Sequence, residues 1–249
     1  MAQLGWTKPT PVQEKAIPLF LQGKDILIRA RTGSGKTGAF AIPVIQRILQ
    51  RKQTSATQEV KALIIAPSCE LCQQISKDLA ALTKYCSMEV RVVDISPQIN
   101  ANAQKPLLLQ HPDIVVGTPS KVLLHLQAGN LQLKDSFECL VIDEADLVFS
   151  FGYEADMRKI LTLLSGVYQS VLASATLSED VTTLKKLVLK DPVIIKLQEA
   201  AIPPKSQLKH YYLYAQGDDK AAILYALLKL NLVRGKIIIF VSTVDRAYK

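Results

Sequence analysis

Seven short apolar runs, separated by stretches of helical periodicity, constrain the fold of this chain more than any other feature of its sequence. The runs are rich in Val, Ile and Leu and barely alternate with polar residues, as is typical of strands buried on both faces. They occupy residues 25–30, 62–66, 90–95, 113–117, 139–143, 170–173 and 193–197. Helical patterns occupy residues 36–50, 70–82, 121–127, 154–164 and 179–189. This alternation predicts an α/β fold with a parallel sheet and helices on both faces.

The pattern breaks near residue 198, which indicates a domain boundary. Residues 199–209 contain adjacent prolines and no clean period, so we predict a linker there. A strand-like run at 210–214, a helix at 218–232 and a very apolar strand at 237–241 follow. We therefore predict a complete first domain over residues 1–198 and, at 210–249, the truncated start of a second α/β domain.

Composition excludes several classes of protein. Apolar residues make up 49% of the 249 and charged residues 21%, which excludes a disordered chain, and four cysteines are too few for a disulfide scaffold. No apolar run approaches the roughly 18 to 20 residues of a membrane span, and no signal peptide begins the chain. We expect an intracellular protein without a membrane partner. The net charge of +8 is compatible with nucleic acid, an acidic membrane surface or a phosphorylated ligand.

A glycine-rich segment between the first predicted strand and helix has the character of a phosphate-binding loop. Its backbone N–H groups and the following helix N-terminus are expected to point at a bound anion. The lysine would reach the β- and γ-phosphates of ATP, and the threonine hydroxyl would ligate Mg²⁺. The alternative is a plain Gly/Ser turn. The segment consists of Ala30, Arg31, Thr32, Gly33, Ser34, Gly35, Lys36 and Thr37.

A second candidate element is an acidic pair at the end of an apolar strand. Asp143 and Glu144 directly follow the run at 139–142. Ligands bind beyond the carboxyl ends of the strands in sheets of this kind. Asp143 is expected to hold Mg²⁺ through its water shell, and Glu144 to orient and deprotonate an attacking water. The alternative is a solvated acidic turn.

Residues 143–146 spell DEAD, and the chain resembles the DEAD-box family of ATP-dependent RNA helicases. The resemblance implies a RecA-like P-loop NTPase domain, and it explains Ala30 where the general loop pattern has glycine. It implies that Gln13, with Trp6 nearby, recognises adenine, and that Ser174 and Thr176 couple hydrolysis to strand separation. The residues that it implies for RNA binding are Pro67, Glu70, Thr118, Pro119, Ser120 and Lys121.

Residues 4–6, 146–154, 224–230 and 234–236 are similar to a nucleolar branch of the family that helps to assemble the large ribosomal subunit. This resemblance implies pre-ribosomal RNA and assembly proteins as partners, a monomer, and a location in the nucleus and nucleolus. One alternative is a non-catalytic product that binds ATP, RNA or helicase partners without turnover. Another is a DNA-directed helicase.

The sequence departs from the family pattern at several positions. Cys69 replaces a basic residue, Ser120 and Lys121 replace Gly-Arg, and residues 95–98 stand where the family has a glycine turn. Cys69 and Cys72 have the spacing of a redox pair or half a zinc site, but we predict ordinary helix-face or core positions. The chain also resembles a helicase truncated at both ends. Because the family's second domain supplies arginines at the γ-phosphate, we expect weak ATP binding and slow hydrolysis.

Overall fold

The computed structural model describes residues 5–55, 57–133, 137–164, 166–197, 208–216 and 219–248. The chain divides into two compact units, Met1–Gln198 and Glu199–Lys249. The predicted linker lies mostly outside the described residues. No helix in the described ranges is long and apolar enough to span a membrane.

The first unit is built on a seven-stranded sheet whose neighbours are all parallel. The order across the sheet is β3-β4-β2-β5-β6-β1-β7. The α/β prediction is confirmed, and each strand lies at its predicted run. The strands are β1 (Ile26–Arg29), β2 (Ala62–Ile65), β3 (Val92–Asp94), β4 (Ile114–Gly117), β5 (Cys139–Ile142), β6 (Gln169–Ser174) and β7 (Val193–Lys196).

Helices cover the sheet on both faces and bury two separate hydrophobic clusters. Helices α1, α2 and α3 contribute to one cluster, and α4 to α8 contribute to the other. The helices of this unit are α1 (Pro11–Leu21), α2 (Lys36–Thr54), α3 (Cys69–Leu82), α4 (Ala101–Leu108), α5 (Pro119–Gln127), α6 (Ala145–Ser150), α7 (Glu154–Leu163) and α8 (Glu179–Val188).

Helix α1 was not predicted, and it carries part of the site. Thr10 caps it by accepting a hydrogen bond from the Gln13 N–H, and the Gln13 side chain accepts one in return from the Thr10 N–H. This reciprocal capping box fixes the point where the helix begins. Val12, Ala16 and Phe20 then face the core and are fully buried.

The second unit contains α9 (Asp219–Lys229) and α10 (Val244–Ala247). The strands predicted at residues 210–214 and 237–241 are wrong, because neither run belongs to a sheet in the described residues. Tyr211 is 87% exposed and Phe240 is 92% exposed. An apolar run becomes a strand only when a neighbouring strand takes its backbone hydrogen bonds, and no described residue supplies one here.

Candidate functional site

The carboxyl edge of the sheet brings the predicted nucleotide residues together. Strands β1, β6 and β5 are neighbours, so the three segments that follow them leave the sheet side by side. The Ala30 N–H donates to the Ser174 carbonyl at 3.1 Å, which joins the ends of β1 and β6. The glycine-rich loop, the acidic pair and Ser174 therefore occupy one end of the domain.

The glycine-rich loop has the geometry of an anion cradle. Gly35 is the N-cap of α2 with φ 94°, and no side chain caps the helix, so its first N–H groups face the loop. A Cβ at Gly35 would lie 2.8 Å from both Gln13 Nε2 and Thr10 Oγ1. The buried Ser34 hydroxyl has no hydrogen-bond partner among the described residues. These donors suit an oxygen-rich anion.

Lys36 is the charged centre of the loop. Its side chain is 5% exposed, and its ammonium donates to the Ala30 carbonyl and to Glu144 Oε1, both at 3.0 Å. The pair joins two residues that are 108 positions apart in the sequence. The cation expected to meet phosphate thus contacts the carboxylate expected to activate water.

The acidic pair is held in a constrained geometry. Glu144 has φ 46° and ψ 53°, a left-handed conformation that costs energy for a residue with a Cβ and often occurs at functional sites. Its N–H donates to Asp143 Oδ1 at 2.9 Å. Burial, and next the Glu144 charge, raise the pKa of Asp143 to about 6, while Lys36 opposes the shift.

Ser174 and Thr176 connect the end of β6 to the acidic element. The Thr176 N–H donates to the buried Ser174 hydroxyl at 3.3 Å, and the Thr176 hydroxyl donates to Asp146 Oδ2 at 2.9 Å. The segment after β6 is therefore hydrogen-bonded to Asp146, at the start of α6.

A cavity of about 440 Å³ opens beside the loop, within the size range of small-molecule sites. Trp6 and Gln13 line it, and Gln13 Nε2 donates to the Gly35 carbonyl at 3.2 Å. Gly38 was missed by the sequence analysis. A Cβ there would lie 2.6 Å from Gln13 Nε2 and 3.1 Å from Trp6 Cζ3, so a larger residue would displace the Gln13 amide. Its position directly after Lys-Thr was the available signal.

The predicted RNA residues lie at the other half of the same edge. Strands β2 and β4 are neighbours, and α3 and α5 begin just after them. Pro67 is buried. At the start of α3, Ser68 accepts a hydrogen bond from the Leu71 N–H, and the Glu70 backbone N–H lowers the pKa of the Glu70 carboxyl. Some of the helix N–H groups expected to bind phosphate therefore already meet a partner within the protein.

The start of α5 is more open to a ligand. Thr118 is its N-cap but makes no side-chain cap, and Pro119 is the first residue of the helix. Ser120 is exposed, while the Lys121 ammonium donates to the Ile99 carbonyl at 2.9 Å. Lys121 thus ties α5 to the turn that replaces the family's glycine turn.

Buried polar contacts fix that turn. The Ser96 N–H donates to Asp94 Oδ1 at 2.8 Å, and Gln104 Nε2 donates to the Ile95 carbonyl at 3.0 Å. Gln104 Oε1 contacts His125 Nε2 at 2.9 Å. Burial, followed by the Lys121 charge, lowers the pKa of His125, which favours the neutral ring. A network of side-chain hydrogen bonds therefore holds this turn in place.

An uncapped glycine-rich loop, its lysine and an acidic pair at the carboxyl edge of a parallel sheet define a nucleotide-binding P-loop domain. Comparison of sequences identifies the family. The profile described as DEAD/DEAH box helicase matches residues 10–184, and the chain belongs to this family.

Two relatives match almost all of the chain. A probable ATP-dependent RNA helicase ddx56 from Dictyostelium discoideum is 42% identical over 250 residues, covering 100% of this chain and 36% of the relative. The ATP-dependent RNA helicase dbp9 from Schizosaccharomyces pombe is 43% identical over 243 residues, covering 97% and 40%. The chain thus spans about two fifths of the length of these curated relatives.

The fold is similar to the crystal structure of a hypothetical ATP-dependent RNA helicase from Sulfolobus tokodaii. The TM-score is 0.68 at 34% identity, over 78% of this chain and 54% of that one. The likeness agrees with the RecA-like fold class expected from the sequence. Which side chains contact nucleotide or RNA stays a prediction.

Proposed function

We propose that this chain is the ATP-binding part of an ATP-dependent RNA helicase. The observation that carries the proposal is the contact between Lys36 and Glu144 at the mouth of the loop. It joins, in one buried pair, the cation proposed to bind phosphate and the carboxylate proposed to activate water. A plain Gly/Ser turn does not require such a buried ion pair, so the contact favours a phosphate-binding loop.

The site residues suit ATP with Mg²⁺. The unpartnered Ser34 hydroxyl and the uncapped start of α2 offer donors for phosphate oxygens. No group of three or more His, Cys, Asp or Glu side chains in the described residues could hold a metal ion. The Thr37 hydroxyl and the ionised Asp143 would hold Mg²⁺ together with phosphate oxygens. When bound, the ion would neutralise charge that develops on the phosphates.

The Lys36–Glu144 contact suggests how ATP binding would prepare the site for hydrolysis. When Lys36 turns to the β- and γ-phosphates, the Glu144 carboxylate loses its partner and is free to orient a water and accept its proton. Thr176, bonded to Asp146, would report the change to the segment after β6. Gln13 and Trp6 would hold the adenine in the adjoining cavity.

RNA would lie along the starts of α3 and α5, near residues 67–70 and 118–121. Contacts from helix N–H groups, Ser120 and Lys121 would reach phosphates and 2′-hydroxyls rather than bases. Sequence preference should therefore be weak, and affinity should fall steeply with salt.

The whole protein is proposed to act in assembly of the large ribosomal subunit, in the nucleus and nucleolus, as a monomer on pre-ribosomal RNA with assembly proteins. Its domains are proposed as residues 1–198, a linker at 199–209 and the start of a second RecA-like domain at 210–249. The arginines of a full second domain can contribute about 10³ to 10⁵ in rate in related phosphoryl transfer. The 249-residue chain is therefore expected to bind ATP and to hydrolyse it slowly.

The test is ATP hydrolysis by the whole chain, alone, with single-stranded RNA and with single-stranded DNA. Glu144→Gln should abolish turnover, whereas Glu154→Gln should leave it unchanged, because Glu154 is an exposed residue that bonds to exposed Arg158 on α7. Slow turnover that RNA stimulates more than DNA supports the proposal. Equal turnover in the Glu144→Gln variant would contradict it, and ATP binding without any turnover favours the non-catalytic alternative.

A further inference from the structure

Two cysteines at the start of α3 have the arrangement of a dithiol redox site. Cys69 is the first helical residue after the N-cap Ser68, and Cys72 follows one turn later. Helix radius and rise place the Cα atoms of such residues about 5 Å apart. That distance lies within the range that a disulfide bridges. We propose that Cys69 and Cys72 form a reversible disulfide that releases the turn at residues 95–100 from α3.

The two thiols have different environments, as an attacking and a resolving cysteine require. Cys69 is half-buried at the positive end of the helix, and Cys72 is fully buried. Cys69 Sγ accepts hydrogen bonds from the Ser96 hydroxyl at 3.4 Å and from Gln73 Nε2 at 3.5 Å. Because Cys69 is the more accessible of the two sulfur atoms, it is the one that an oxidant reaches first.

Cys72 is the resolving cysteine. Its Sγ lies 3.9 Å from the Ala66 carbonyl, and burial raises its pKa to about 12, with a further contribution from Asp94. The fully buried Ser96 hydroxyl, which hydrogen-bonds Cys69, acts on Cys72 in the opposite direction and lowers its pKa.

Hydrogen peroxide is the oxidant that this arrangement can use. The Cys69 thiolate attacks one peroxide oxygen, the O–O bond breaks, and a sulfenic acid and hydroxide form. The Cys72 sulfur then attacks the Cys69 sulfur, so that an S–S bond forms and the S–O bond breaks. The leaving oxygen takes the Cys72 proton and departs as water. A dithiol such as dithiothreitol reverses the reaction by thiol–disulfide exchange.

Closing the disulfide has a structural consequence. Once Cys69 Sγ is bonded to Cys72, it is drawn away from the Ser96 hydroxyl, and the turn at 95–100 loses this hydrogen bond to α3. The Ile99 carbonyl of that turn also accepts a hydrogen bond from the Lys121 ammonium. The effect on RNA rests on the function proposed above, whereas formation of the disulfide does not.

The first experiment counts thiols in the whole chain. After mild peroxide treatment, alkylation and peptide mass mapping should find two of the four thiols lost, Cys69 linked to Cys72, and full recovery with dithiothreitol. Cys86→Ser should still form the link, and Cys69→Ser, at a half-exposed position, should abolish it without unfolding the chain. A Cys69 oxidised beyond the sulfenic acid beside a free Cys72 thiol would overturn the proposal.

The second experiment measures the affinity of the chain for RNA before and after oxidation. Fluorescence anisotropy of a labelled single-stranded RNA should give an affinity about threefold to tenfold weaker for the oxidised chain, the loss expected when about one ordinary hydrogen bond is misplaced. The Cys69→Ser variant should bind RNA equally with and without peroxide. Equal affinities of the two forms of the unmodified chain would overturn the link to RNA. A reduced chain that binds no RNA contradicts the proposed function, while the thiol count still decides the disulfide.

Discussion

Replacing Asp143 by Asn should stabilise the fold at neutral pH, because the site holds this carboxylate at the expense of stability. Asp143 is 6% exposed, and burial with the neighbouring Glu144 charge raises its pKa from 3.8 to about 6. A group whose pKa is raised on folding contributes stability that is complete below about pH 4 and is lost as the pH rises through about 6. An Asn amide has the same shape but does not ionise, so it causes no loss of stability as the pH rises. Its oxygen still accepts the hydrogen bond from the Glu144 N–H.

The pKa values set the size of the effect. A shift of about two units corresponds to about 3 kcal/mol in the free energy of unfolding once both states are ionised. The Asp143→Asn variant should be more stable than the unmodified chain by about 2 kcal/mol at pH 5 and by about 3 kcal/mol at pH 7. The gain should disappear below about pH 4.

Urea unfolding of the whole chain, followed by circular dichroism between pH 4.5 and 8, measures this difference. The Asp156→Asn variant, at a surface position of α7, is the matched control and should show no comparable rise with pH. A variant whose stability gain is the same at every pH, or which is less stable at pH 7, would refute the reasoning. Either result would mean that the ionised Asp143 carboxylate does not destabilise the folded state.

The remaining predictions concern the loop and the network beside it. Lys36→Ala should weaken binding of fluorescent ATP about tenfold to a hundredfold, since one or two charge-assisted hydrogen bonds are lost. Gly38→Ala should lower the melting temperature and ATP affinity together, because the new Cβ would lie 2.6 Å from Gln13 Nε2. His125→Leu should cost about 1–3 kcal/mol in urea unfolding by leaving buried Gln104 unsatisfied. The double variant with Gln104→Leu should cost less than the two single changes combined.

The fold of the first unit could be predicted because its strands are apolar runs with little alternation. The runs that form β2, β4 and β5 are buried on both faces in the structure, which is what that composition requires. Helix α1 also had a sequence signal, since Thr10 and Gln13 have capping-box spacing. Helix α6 has only six residues, too few for periodicity to detect.

Tertiary contacts explain what the sequence could not predict. The loop and the acidic pair were recognisable locally, but the bond between Lys36 and Glu144 depends on strand order across the sheet. The close approach of Gly38 to Trp6 depends on where α1 packs. The apolar run at 237–241 is not a strand, because pairing depends on a neighbour that local sequence does not specify.

The most direct test of the account asks whether the loop at residues 30–37 binds ATP beside Trp6. Trp6 is the single tryptophan of the chain and lines the cavity, so its fluorescence should pass by energy transfer to a methylanthraniloyl-ATP bound there. The account predicts saturable transfer that is lost in Lys36→Ala and kept in Lys24→Ala, a lysine in a separate cavity at the opposite edge of the sheet. Transfer of equal strength and affinity in the Lys36→Ala variant would contradict it.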